Sequence, residues 1–106
     1  MINKESLLGI KDNPFHPLVM INGEPEIGEN VYVGAFSEIY CKGSQLSIGN
    51  NCDIASFVAI NCADSHKKTI GLKADIEKSS IVIEDNVFIG SHSLIKGGVR
   101  IGHHTV

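Results

Sequence analysis

Apolar and polar positions alternate along this chain on a beat of six. Branched aliphatic residues fall at Ile21, Ile27, Val33 and Ile39, then at Ile48, Ile54 and Ile60, then at Ile83, Ile89, Ile95 and Ile101. Within each block the step is six residues. A helix returns its apolar face at three and four, and a half-buried strand alternates at two, so neither describes the run. Glycine follows the beat at Gly28, Gly34, Gly49, Gly90 and Gly102, where it is expected to accept backbone angles that side chains resist. Four places after the beat stands a small or branched residue: Val31, Ser37, Cys52, Val58, Val87, Ser93, Val99 and Thr105.

A repeat of six is a signature of the parallel β-helix, in which three units, each a strand and a turn, close one triangular coil of about eighteen residues. Beat residues then point inward and stack one coil above another, each burial contributing roughly 1.5–3 kcal/mol. The beat breaks twice. A step of nine from Ile39 to Ile48 leaves three extra residues within Tyr40–Ser47, and a step of twenty-three from Ile60 to Ile83 leaves seventeen within Asn61–Val82. Counting in threes from Ile21 predicts one column of Ile21, Ile39, Ile60 and Ile95. A second holds Ile27, Ile48, Ile83 and Ile101, and a third Val33, Ile54 and Ile89. Both insertions then leave the same corner, one coil apart. Insertions in a solenoid project as loops on one face, often the binding face.

In this pattern residues 19–106 resemble the hexapeptide-repeat acyltransferase superfamily. The resemblance implies an all-β fold, a left-handed parallel β-helix of about four coils with one long protruding loop at 61–82. Handedness comes from the resemblance alone, because general rules favour right-handed crossovers. It also implies a homotrimer with active sites between subunits. The implied reaction moves an acetyl group from acetyl-CoA, as co-substrate, to a hydroxyl or amine of a sugar or nucleotide-sugar.

Composition narrows the remaining classes. A chain of 106 residues supports one domain. Residues 1–18 lack the hexad and read as a capping segment, with a short helix over Asn3–Leu8 and an extended stretch set by Pro14 and Pro17 around Phe15 and His16. The net charge of −3 and the absence of a basic run argue against a nucleic-acid partner. No stretch suits a membrane span, and the first residues lack the order of a signal peptide, which points to the cytoplasm. The last hexad stops at Val106, so either a longer protein or a partner is expected to cover that end. Three cysteines without metal-like spacing read as reduced and structural: Cys52 at an inward position, Cys41 and Cys62 beside the insertions.

The chemistry concentrates in Asn61–Leu72, a polar stretch that places His66 two residues after Asp64. Sugar and xenobiotic acetyltransferases of the superfamily carry a loop histidine in a similar place, where it is the general base. By that resemblance His66 is the catalytic candidate, with Asp64 or Glu84 orienting its ring. An imidazole suits the task because it exchanges protons near neutral pH. Lys67 and Lys68 can meet an acidic group, and Asn61 and Lys67 are the candidate substrate contacts. The stretch Val87–Gly102 looks like the one that follows the catalytic loop in maltose and galactoside acetyltransferases. Ser91, Gly97 and Gly98 are thereby the candidate contacts for the pantetheine arm of acetyl-CoA. Each feature has a plain alternative: a solvated loop histidine, and small residues that serve only the turns.

Two other readings stay open. One is a non-catalytic β-helix that acts as an assembly or binding module. The other is a zinc protein resembling the γ-class carbonic anhydrases, with His66, His92 and His103 or His104 as ligands. That family spaces one ligand pair as HxxxxH, which His103-His104 does not supply, so no metal is expected.

Overall fold

The computed structural model describes residues 13–106, so the helix expected at Asn3–Leu8 lies outside the described residues. The described chain is built almost wholly of short strands. These are β1 (Met20–Asn22), β2 (Glu26–Ile27), β3 (Tyr32–Val33), β4 (Glu38–Tyr40), β5 (Leu46–Ile48), β6 (Asp53–Ile54), β7 (Ala59–Asn61), β8 (Ala63–Asp64), β9 (Glu77–Lys78), β10 (Ile81–Ile83), β11 (Phe88–Ile89), β12 (Leu94–Lys96) and β13 (Arg100–Ile101). One helical turn, α1 (His66–Thr69), interrupts them.

Apart from β8 and β9, which pair with each other, the strands are dealt in rotation to three parallel sheets, ordered β1-β4-β7-β12, β2-β5-β10-β13 and β3-β6-β11. Their register stacks the beat residues. Ile21 pairs with Ile39, Ile39 with Ile60 and Ile60 with Ile95. Ile27, Ile48, Ile83 and Ile101 pair in series in the second sheet, and Val33, Ile54 and Ile89 in the third. This is the column order that the six-residue count predicts. Ile39, Ile54 and Ile60 are fully buried. Polar neighbours turn outward because successive residues of a strand face opposite ways. Leu46 and Ile81, which pair across β5 and β10, thicken the core beyond what the beat shows.

Three corners join the sheets, and two are built alike. Asn30, Asn51, Asn86 and His104 hold positive φ of 56–58° after β2, β5, β10 and β13. Asparagine tolerates this left-handed region better than most residues. After β3, β6 and β11 the same place is taken by Phe36, Phe57 and His92, with φ of 66°, 58° and 64°. Their rings stack at centroid separations of 5.1 and 5.2 Å, which offsets the conformational strain.

None of the glycines after the beat holds the positive φ expected of it, and at Gly28, Gly34 and Gly49 a Cβ would meet the backbone of the next coil. Gly34 has no positive φ. A Cβ there would lie 2.5 Å from the Ser56 nitrogen and 2.8 Å from the Ala55 carbonyl carbon, so bare backbone lets the coils approach. Ser37, buried at an inward position, donates to the Ala55 carbonyl and accepts from the Val58 N–H, so its hydroxyl is satisfied.

Candidate functional site

The third corner, between the β1-β4-β7-β12 and β2-β5-β10-β13 sheets, carries both insertions. The larger excursion runs from the end of β7 at Asn61 to the start of β10 at Ile81. Its base is antiparallel: Ala63 pairs with Lys78 and Asp64 with Glu77. Backbone bonds clamp its feet. Ser79 N–H donates to the Cys62 carbonyl at 2.9 Å, and Gly98 N–H to the Ser80 carbonyl at 2.8 Å. The Cys62 thiol is buried, 3.8 Å from the Gln45 carbonyl oxygen, and the Cys41 thiol is buried too. Burial pushes both thiols above the ordinary cysteine range, which leaves them protonated and poorly nucleophilic.

At the tip the chain makes one helical turn. Thr69 and Ile70 N–H groups donate to the Ser65 and His66 carbonyls, and the Thr69 hydroxyl also bonds the Ser65 carbonyl. No residue of α1 is buried, so its position depends on polar contacts.

Those contacts converge on Asp64. Its Oδ1 lies 2.5 Å from His66 Nδ1 and accepts the His66 backbone N–H at 3.3 Å. Its Oδ2 lies 2.8 Å from Lys96 Nζ, which reaches over from β12. The Lys96 ammonium first, and the His66 ring and backbone next, hold the Asp64 carboxyl far below the usual carboxylate range. A carboxylate that stays ionised accepts a proton-bearing Nδ1. The Nε2 lone pair is then the one free to act on a substrate.

The remaining candidates divide. Asn61 turns its side-chain oxygen to the Ala63 N–H at 2.8 Å, which shapes the turn from β7 into β8. Lys67 sits 3.1 Å from Glu77, which also holds Lys73 at 2.6 Å. Those two lysines, Lys73 foremost, lower the Glu77 carboxyl. Glu84 does not orient His66, because it lies at another corner. There it accepts the His103 N–H at 3.0 Å and pairs with Arg100.

Gly97 and Gly98 share the corner of His66, but the excursion's feet occupy them. A Cβ on Gly97 would lie 2.8 Å from the Cys62 carbonyl oxygen and 3.1 Å from that of Ser79. Gly98 takes a φ of 86°, which favours glycine. Ser91 is exposed beside His92 at the aromatic corner, so the structure does not bring it to the same place within one chain.

The histidines scatter likewise. His66 is on the excursion, His92 stacks on Phe57, and His103 and His104 contact each other at the asparagine corner. Among the described residues no group of three or more His, Cys, Asp or Glu is placed to hold a metal ion. Nor is any described helix long and apolar enough to cross a membrane.

Lys96 is the contact that sequence reasoning missed. A signal was present in the count of beats, because the register that pairs Ile95 with Ile60 puts Lys96 beside Asn61, at the root of the excursion.

Comparison with known proteins agrees with the repeat. Residues 80–106 match the family model described as hexapeptide repeat of succinyl-transferase. A 2,3,4,5-tetrahydropyridine-2,6-dicarboxylate N-succinyltransferase of Xylella fastidiosa is 30% identical over 80 residues, which is 76% of this chain and 24% of that protein. The protein of the same name from a second strain is 29% identical over 80 residues. The chain thus spans about a quarter of the length of the curated relatives it matches, their covered share being 24%. The six-residue beat that stacks into three parallel sheets is thus the hexapeptide repeat of that family model, and over 80 residues the chain is similar to these N-succinyltransferases.

Proposed function

We propose that this chain carries the catalytic corner of an acyltransferase that moves an acyl group from a CoA thioester to a hydroxyl or amine. The observation that carries the reading is the Asp64–His66 pair, an imidazole held through Nδ1 at the tip of the excursion. In this mechanism His66 Nε2 takes the acceptor's proton, and the freed oxygen or nitrogen attacks the thioester carbonyl. Backbone N–H donors stabilise the oxyanion, and the CoA thiolate leaves as the tetrahedral intermediate collapses. Asp64 fixes the tautomer and stabilises the imidazolium that forms.

Acetyl-CoA with a sugar or nucleotide-sugar acceptor follows from the resemblance of the loop histidine. The succinyltransferase relatives make a succinyl donor and an amine acceptor the paired alternative. The same resemblance supports a left-handed coil of about four turns. It also supports a homotrimer in which the excursion reaches a neighbour. Exposed Ile70, Leu72 and Ile76 on the excursion are apolar surface that such a neighbour would cover. Three free thiols suit a reducing compartment such as the cytoplasm.

The test is acyl transfer with each donor by the parent chain and by His66→Ala. Transfer is expected to drop by about 10²–10⁴ in the variant while the fold survives. Equal transfer by the two proteins would make His66 a solvated loop residue. A chain that binds neither coenzyme in a titration would be an assembly module instead.

A further inference from the structure

We infer that Lys96 is a positioning residue, which locks the Asp64 carboxylate onto His66 from the neighbouring coil strand. The inference deepens the proposed acyl transfer and rests on His66 being its base.

Beyond its feet the excursion is loosely held. Its tip turn buries no residue. Lys67 and Lys73 both spend their charge on Glu77, inside the excursion. Of the ion pairs among the described residues, Lys96 to Asp64 alone joins the excursion to a coil strand. The strand that supplies it is well fixed. Lys96 pairs with Asn61 in the parallel ladder, and Gly97 and Gly98 behind it are pressed against Cys62, Ser79 and Ser80.

The division of oxygens at Asp64 gives the contact its consequence. Lys96 engages Oδ2 and His66 engages Oδ1, so the cation fixes the rotation of the carboxylate and with it the direction of the imidazole. Two further facts keep the arrangement single-valued. Glu77 is the register partner of Asp64, and Lys67 and Lys73 draw its charge away. The remaining cation beside the ring in sequence is Lys68, an exposed neighbour on α1. An exposed ion pair by itself adds little stability. Its value here is geometric, because a general base must stand within hydrogen-bond reach of the proton it removes.

The experiment combines nitrogen-15 spectra of the His66 ring with steady-state kinetics for Lys96→Ala, Lys96→Met and Lys96→Arg. In the parent, above the pH range where the imidazole is charged, the Nδ1–H tautomer is expected to dominate. Lys96→Ala and Lys96→Met are expected to move it toward the Nε2–H form of free histidine. They should also lower kcat on the order of 10–100-fold with KM little changed, as for a misplaced reacting group. Lys96→Arg should restore both, because a guanidinium can also reach the carboxylate. Lys96→Met keeps the stem's length and its packing on the strand, so an unfolded Lys96→Ala would not obscure the result. An unchanged tautomer ratio in both neutral variants overturns the inference, as does an unchanged kcat. If His66→Ala transfers as fast as the parent, the base reading fails instead. The tautomer ratio, which needs no turnover, then decides alone whether Lys96 holds the ring.

Discussion

The coil and the excursion obey different physics. In the coil, stability comes from hydrocarbon and ladder hydrogen bonds: Ile39, Ile54, Ile60 and Ile83 are buried in stacked columns. In the excursion, position comes from charges: Asp64, His66, Lys67, Lys73, Glu77 and Lys96 hold one another at an exposed surface. Non-directional burial suits a scaffold, because each added coil repeats the same contacts. Directed polar contacts suit chemistry, because they set where a lone pair points. The protein keeps the two apart, so the charged cluster can change without disturbing the columns.

The sharpest way to break that separation is from the coil side. Ile60→Ala removes a fully buried side chain at the foot of the excursion, and about 2–5 kcal/mol of unfolding free energy should be lost. Denaturant titration checks it, and a loss no larger than a surface change would mean that the columns are not the source of stability. A smaller loss is expected where the two regions meet. Gly97→Ala places a methyl group against the Cys62 and Ser79 carbonyls, and overpacking of this kind costs about 1–3 kcal/mol. Hydrogen exchange should show the loss centred on the amides of Ser79 and Gly98.

The smallest effect belongs to the charges. The Asp64 and Glu77 carboxyls are lowered in the folded chain, so what they contribute is fully present above the ordinary carboxylate range. It is lost as the pH falls through their lowered values. Both side chains are solvent-accessible, so acid should loosen the excursion while the coil amides stay protected. Amide exchange followed from neutral to acid pH checks this, and simultaneous opening of both regions would contradict the separation.

How much could be read beforehand differs between the regions for the same reason. Ile21, Ile39, Ile60 and Ile95 were placed in one column by counting, because every hexad adds the same strand and turn. The count also put both insertions at one corner. His66 and Asp64, two residues apart, were legible as a pair. Glu84 was not legible as anything else, since its partners Arg100 and His103 are assigned only when the last strands are stacked. The aromatic corner escaped notice because phenylalanine at positive φ runs against local preference and is held by stacking between coils.

The sequence by itself therefore determined the columns of the coil and the exit of its insertions. Periodicity is a local property that needs no knowledge of what lies across the molecule. Only the tertiary structure decided which charges meet. Lys96 and Asp64 are 2.8 Å apart in space though the rest of the excursion and the strands β10 and β11 separate them along the chain. Gly97 likewise has its reason in a carbonyl of Cys62 that the fold brings beside it. Such contacts depend on register between coils, and register is fixed by the packing of the whole core.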